Sequence, residues 1–298
     1  EKLIGKTEDS RWVSRAFADA KRDIIAVIFA SSVSYTLQIF IALFAMVIYN
    51  KIIPNNAFDT LKSITFGVLI IIGSDFLFKI LKNRIQEQQN RQLELRLSDR
   101  LYSKIIGWDL QSVPKLPASS SLLLRDVDTV VQLFGNTLLN VVVGLPFVFV
   151  YVFVIYYVAS QLAFVTLFAA LIALSINLSF FKLVERASSD AKDALIEKSA
   201  AFIETLNNIE GIKSLGTYQH FFRKWQRVQE INATQSDRLN RYLSDATTAT
   251  GLVTSSAQVL ILAYGAYLVF QGGISPGSLI AAVLLHGRGQ QPIQAMMQ

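Results

Sequence analysis

From Thr129 to Phe181 the chain carries no Asp, Glu, Lys or Arg, and the one polar break near its middle is Ala159-Ser160-Gln161. A helix rises about 1.5 Å per residue and a bilayer core is about 30 Å thick, so this run is too long for one crossing and fits two. It predicts apolar helices at 133–158 and 162–184, joined by a very short uncharged turn. Charge-poor runs of similar length predict four further spans, at 24–48, 62–81, 247–270 and 275–296. Pro54-Asn55-Asn56 marks the turn between the first pair, and Gln271 to Gly277, with three Gly and one Pro, marks the turn between the last.

Between the spans the pattern changes to long polar segments, 82–128 and 185–246. In the first, Leu93, Leu97, Leu101 and Ile105 keep one helical stripe among charges of both signs, which predicts that the second span continues as a rod into solvent. Thirty further residues would project about 45 Å. Pro114 and Pro117 end the rod, and Ser119-Ser120-Ser121 leads into a short apolar turn, Leu122-Leu123-Leu124. In the second, Gly211 and Gly216 loosen the helix, and Tyr218, Phe221, Phe222 and Trp225 gather beside Arg223, Lys224 and Arg227, with His220 among them. Aromatics interleaved with basic residues can stack on bases. Here they follow helical spacing, so a protein-docking knob at the arm's tip is expected, with no nucleic acid. A single His without companion ligands gives no metal site.

Residues 1–23 are polar and of mixed charge, and Trp12, Val13, Ala16, Phe17 and Ala20 share a face suited to an interfacial helix, or to an amphipathic helix docked on protein. With 52% hydrophobic and 17% charged residues, the chain reads as an all-α polytopic membrane protein. It contains no Cys, which removes disulfides, thiol nucleophiles and thiolate metal sites. The net charge of +6 is a matter of topology. With the N-terminus inside, only Lys51 and Lys62 of the 28 Lys and Arg fall on the outer side, so both polar arms are expected in the cytoplasm.

Polar residues within the spans raise the question of a pathway. Asp75 and Lys79 form an acid-before-base i, i+4 pair, either structural or part of a polar route. Ser31, Ser34 or Tyr35, and Gln38 share a face of the first span. Asn136, Asn140 and Gly144 share one of the third, and Thr247, Thr250, Thr254 and Gln258 one of the fifth. Each stripe can be interhelical glue; together they favour a partly hydrated central path. His286 and Arg288 are late polar insertions, expected near the membrane boundary facing solvent or protein.

Six spans with two long inner arms, each tipped by a short helix, resemble the transmembrane domain of an ABC exporter. Tyr49-Asn50-Lys51-Ile52-Ile53-Pro54-Asn55-Asn56-Ala57-Phe58-Asp59-Thr60-Leu61 is similar to the outer-loop signature of type I secretion ABC transporters, which export RTX toxins, proteases and adhesins. Gly273 to Ala281 and Gly287 to Pro292 resemble that family's sixth span, and Ile209 to Gly216 its approach to the second coupling helix. The resemblance implies a homodimer in the bacterial inner membrane, with coupling helices at Pro117, Ser119, Ser120 and Leu122–Leu124 and at Leu215, Gly216, Tyr218 and His220–Phe222. It further implies a nucleotide-binding domain that holds ATP and Mg, a membrane-fusion protein, an outer-membrane channel and a secreted polypeptide substrate. The triple Ser119–Ser121 departs from the Gly found near the first coupling helix in many relatives. Nowhere is there a Gly-x-x-x-x-Gly-Lys-Ser/Thr loop to cradle phosphates, so ATP, Mg and any peptidase-like domain are expected to belong to segments outside this chain. Lipid or small-molecule export and a membrane scaffold remain alternatives.

Overall fold

The computed structural model describes residues 21–106, 131 and 139–297. The described residues form seven α-helices: α1 (Lys21–Val47), α2 (Phe58–Ile106), α3 (Leu139–Val158), α4 (Ser160–Asn207), α5 (Ile209–Ser214), α6 (Tyr218–Phe270) and α7 (Pro276–Gln294). Five are long and apolar enough to cross a membrane, over Ile24–Ile52, Phe58–Arg100, Asn140–Val158, Ser160–Asn207 and Tyr218–Phe270. The sixth expected span, α7, falls short of that apolarity because His286, Arg288, Gln290, Gln291 and Gln294 interrupt it.

The turns explain where the helices stop. α1 passes into a single π-helical turn, Ile48–Ile52, which carries helical structure further than the sequence pattern alone indicates. Pro54 ends it, Asn56 takes up a left-handed φ of 50°, and α2 starts at Phe58 rather than Lys62. Between α3 and α4 only Ala159 is non-helical. α6 ends at Phe270 with Gly272 at φ 74° and the Gly273 N–H donating to the Leu268 carbonyl at 2.9 Å, a glycine C-cap. α7 then opens on Ser275, whose hydroxyl accepts from the Ser278 N–H at 3.1 Å, followed by Pro276.

The chain divides into two compact units. One comprises the described parts of Glu1–Leu93, Gln132–Leu174 and Gly251–Met296. In it Ile39 and Ala42 of α1, Tyr151 and Ile155 of α3, Leu162 of α4, Ile261 and Leu268 of α6, and Ala282 and Leu285 of α7 form one buried cluster. Glycines let these helices approach closely. A Cβ on Gly144 would sit 2.7 Å from Cβ of Pro292. Large apolar side chains such as Phe66, Leu69, Phe76, Phe149, Phe153 and Phe168 point away from the core. In water that surface would be a liability; against lipid tails it is the expected exterior.

The other unit comprises the described parts of Glu94–Val131 and Ser175–Thr250, with Met297. Here α4 and α6 run antiparallel around the short α5. Asn177 pairs with Thr250, Asp190 with Arg238, and Glu204 with Lys224, so each step along one helix is matched by an almost equal step back along the other. Buried small residues recur at seven-residue spacing along α4, Ala187, Ala194 and Ala201, and Val228 and Ala246 are buried on α6. Repetition every seventh residue keeps one stripe facing a partner helix, and small side chains allow a close axis-to-axis approach.

Candidate functional site

Two arrangements carry function-bearing chemistry, one in each unit. In the second unit, α4 ends at Asn207, and Ile209–Ser214 form the six-residue helix α5. Gly216 adopts φ 65°, a left-handed conformation that turns the chain back into α6. The Thr217 N–H donates to the Ile212 carbonyl at 3.2 Å, which closes the turn. The short helix therefore precedes Leu215. Leu215, Gly216 and Thr217 make the turn, and Tyr218, His220, Phe221 and Phe222 make the first turn of α6.

The aromatic cluster divides between two roles because helical spacing spreads it around the axis. Tyr218 and Phe222 stack with ring centroids 5.6 Å apart, both exposed, beside Leu215 at 77% exposure. Trp225, on another side of α6, packs against Phe202 of α4 at 5.9 Å with the Lys198 ammonium over its ring. Lys224 reaches Glu204 at 2.6 Å. Trp225 and Lys224 thus fasten the hairpin, while Leu215, Tyr218 and Phe222 present an apolar, aromatic surface at its tip. The first-arm residues Pro117, Ser119, Ser120, Leu122, Leu123 and Leu124 lie outside the described residues, as does Asn136.

In the first unit the polar span residues form a set of links among helices. Asp75 on α2 is 8% exposed, and its carboxylate accepts from the Ser34 hydroxyl of α1 and from Lys79 at 2.6 Å. The structure thus joins two groups that sequence periodicity treats separately. One turn further along α2, Lys82 donates to the Asn140 side-chain carbonyl at 2.6 Å. Lys79 is half exposed, so its stem can reach toward a polar boundary while its ammonium stays paired. Ser31 and Gln38 are buried, and the Tyr35 ring stacks on Phe147 at 5.0 Å. The Tyr35 backbone carbonyl accepts from the Tyr151 hydroxyl at 3.1 Å.

Thr254 links α6 to α7. Its hydroxyl accepts from Gln294 at 3.3 Å, and its carbonyl lies 3.4 Å from Nε2 of His286. His286 is wholly buried, on the protein side of the two environments expected for it, whereas Arg288 is exposed. Gln258, expected on the same stripe as Thr254, is exposed; the buried line of α6 instead runs through Ala257 and Ile261. Thr247 is exposed too, while Thr250 is buried and bonded to Asn177 at 3.2 Å within the second unit. Sequence reasoning missed Gln290, buried with neither side-chain polar atom hydrogen-bonded among the described residues, although His286, Gln290 and Gln294 recur at four-residue spacing. Among the described residues no group of three or more His, Asp or Glu converges as metal ligands would.

Replacing Asp75 by alanine removes the acceptor from a buried hydroxyl and the counter-charge from Lys79. A loss of about 1–3 kcal/mol is expected, seen as an earlier thermal transition in detergent. Asp75→Asn, which keeps one acceptor oxygen for Ser34, is expected to lose less.

The family model describing the ABC transporter transmembrane region matches residues 24–291. The alpha-hemolysin translocation ATP-binding protein HlyB of Escherichia coli O157:H7 is 23% identical over 286 residues, covering 96% of this chain and 40% of that protein. The cyclolysin secretion/processing ATP-binding protein CyaB of Bordetella pertussis is 22% identical, covering 97% and 41%. The chain thus spans about two fifths of the length of these relatives. A solved bacterial Atm1-family ABC exporter with ATP bound shares the fold at a TM-score of 0.80 and 14% identity, over 94% of this chain and 50% of that one.

Proposed function

This chain belongs to the family of ABC transporter transmembrane regions, and from that premise we propose that it is the membrane-spanning domain of an ATP-driven exporter that moves unfolded polypeptide across the bacterial inner membrane in type I secretion. The observation that carries the coupling part of this reading is the α4–α6 hairpin. Paired side chains at three levels, Asn177–Thr250, Asp190–Arg238 and Glu204–Lys224, join its two helices, and its tip exposes Leu215, Tyr218 and Phe222. A nucleotide-binding domain seated on that tip could pass the motion of ATP-driven closure into the helices, because packed rigid elements transmit displacement.

The cargo part is supported by relatives whose names describe toxin translocation and which this chain matches over nearly all of its own length. In this reading two copies form the pathway, ATP and Mg bind the nucleotide-binding domain, and the N-terminus and both arms are cytoplasmic. A membrane-fusion protein and an outer-membrane channel complete the route.

The test is secretion by the full-length transporter with its accessory components and an RTX-type polypeptide. ATP-dependent appearance of that polypeptide in the medium is expected. If it stays inside while labelled lipid or a small dye is moved, export of those smaller cargoes replaces this reading.

A further inference from the structure

We propose that the Asn50 carboxamide is a positioning latch, closing the end of the helix bundle where α1 stops and α7 starts and letting go during each transport cycle. The proposal rests on the reading of the chain as an exporter domain, which requires the bundle to open at this end to release cargo. It gives a task to a residue of the outer-loop signature that coupling to a nucleotide-binding domain leaves unexplained.

The contact is specific. Oδ1 of Asn50 accepts from the Gly277 N–H at 3.0 Å, across 227 positions of sequence. That N–H belongs to the first turn of α7, where backbone donors have no carbonyl within their own helix. The Ser275 hydroxyl serves the Ser278 N–H, and Asn50 serves Gly277. The fit also requires glycine. A Cβ at position 277 would lie 2.4 Å from the Met46 carbonyl oxygen and 2.5 Å from Oδ1 of Asn50. The two helix ends therefore meet backbone to backbone.

The same contact is built to be reversible. Asn50 lies at the centre of the π-helical turn Ile48–Ile52, whose wider winding presents its side chain to α7 and is a less favourable geometry than the α-helix it follows. The residues after it, Ile53 to Asn56, are exposed, so little packing resists their movement. The latch is one neutral hydrogen bond, and Asn50 is only partly buried, so water can replace either partner. Further into the bundle the α1–α7 contact becomes a dry cluster containing Ile39, Ala42, Ala282 and Leu285. A two-state element needs contacts that differ between its states, and the peripheral hydrogen bond is the one that can be exchanged without opening the dry cluster to water.

The absence of Cys from this chain makes the test direct. In the full-length transporter, with any other cysteines removed, Met46→Cys and Pro276→Cys, which leave Asn50 in place beside them, are introduced together and bridged with a short bis-methanethiosulfonate, which joins them through reducible disulfides. Bridging is expected to be at least several-fold slower with ATP and vanadate than without nucleotide, and the bridged protein is expected to stop exporting until reductant frees it. A bridging rate indifferent to nucleotide, or export unimpaired while the bridge is intact, overturns the latch. The nucleotide response needs no cargo. A protein that shows it yet moves no polypeptide keeps the latch and loses the polypeptide reading. In a second variant set, Pro276→Cys alone is expected to react several-fold faster with a water-soluble thiol reagent beside Asn50→Leu, and at the original rate beside Asn50→Asp, which retains an acceptor oxygen. Equal rates in Asn50→Leu and the parent overturn the proposal.

Discussion

Gly144→Leu is expected to lower the unfolding temperature of the detergent-solubilised protein by on the order of 10 °C and to reduce the amount recovered as a monodisperse species. The reason is local geometry. At position 144 even a Cβ would meet Cβ of Pro292 at 2.7 Å, Cγ of Pro292 at 2.9 Å and the Tyr35 hydroxyl at 3.1 Å. Proline has no alternative rotamer with which to withdraw, so α3 and α7 must separate. Overpacking of this kind costs about 1–3 kcal/mol and more where neighbours are rigid, against a total stability of only about 5–15 kcal/mol. Gly67→Leu is the matched control, since nothing lies within 4 Å of the Cβ position there. It is expected to change stability by less than about 0.5 kcal/mol. Equal losses at the two positions, read by thermal shift and size exclusion, would show that the tight α3–α7 crossing is not what limits stability.

The second large effect concerns the hairpin tip. Tyr218→Ala together with Phe222→Ala removes the stacked pair from the presented surface while leaving Trp225 on Phe202 and Lys224 on Glu204. Aromatic anchors at the centre of an interface are worth about 2 kcal/mol or more, and 2 kcal/mol corresponds to about 30-fold in an equilibrium. On the proposal that a nucleotide-binding domain docks here, cargo-stimulated ATP hydrolysis by the full-length transporter is expected to fall by about that factor, with the thermal transition of the membrane domain almost unchanged. The contrasting substitution is Trp225→Ala, which strikes the hairpin's own packing and is expected to lower both. If the double variant hydrolyses ATP in response to cargo as well as the parent does, the tip is not where the motion enters.

The helices themselves were legible because hydropathy is a one-dimensional property. The uncharged run from Thr129 to Phe181 announces two helices and a minimal turn, and the structure leaves only Ala159 outside helix between α3 and α4. What periodicity gives is a face; what it withholds is the partner. Ser31, Ser34 and Gln38 could be seen to share a side of α1, yet nothing local says that Ser34 will meet Asp75, or that Asn140 will receive Lys82. Those pairings depend on which helices become neighbours and at what depth.

Drift explains other differences. The Thr250, Thr254, Gln258 progression advances by four residues at a time, which overshoots a full helical turn and carries Gln258 off the buried line. Of the two environments expected for His286, solvent or protein, periodicity does not choose; the neighbouring α6 does, by placing the Thr254 carbonyl 3.4 Å from its ring. The seven-residue spacing of Ala187, Ala194 and Ala201 is present in the sequence, but spacing alone does not say that the stripe is buried.

The paired side chains of α4 and α6 have a bearing on how such hairpins can change in length. Asn177–Thr250, Asp190–Arg238 and Glu204–Lys224 are separated by nearly equal numbers of residues on the two helices. An insertion in one helix alone would part the pairs on its far side, so length changes in this hairpin are tolerable in matched blocks, one in each helix. An unmatched change would have to be taken up around α5, where the helix is already interrupted at Asn208 and at Gly216.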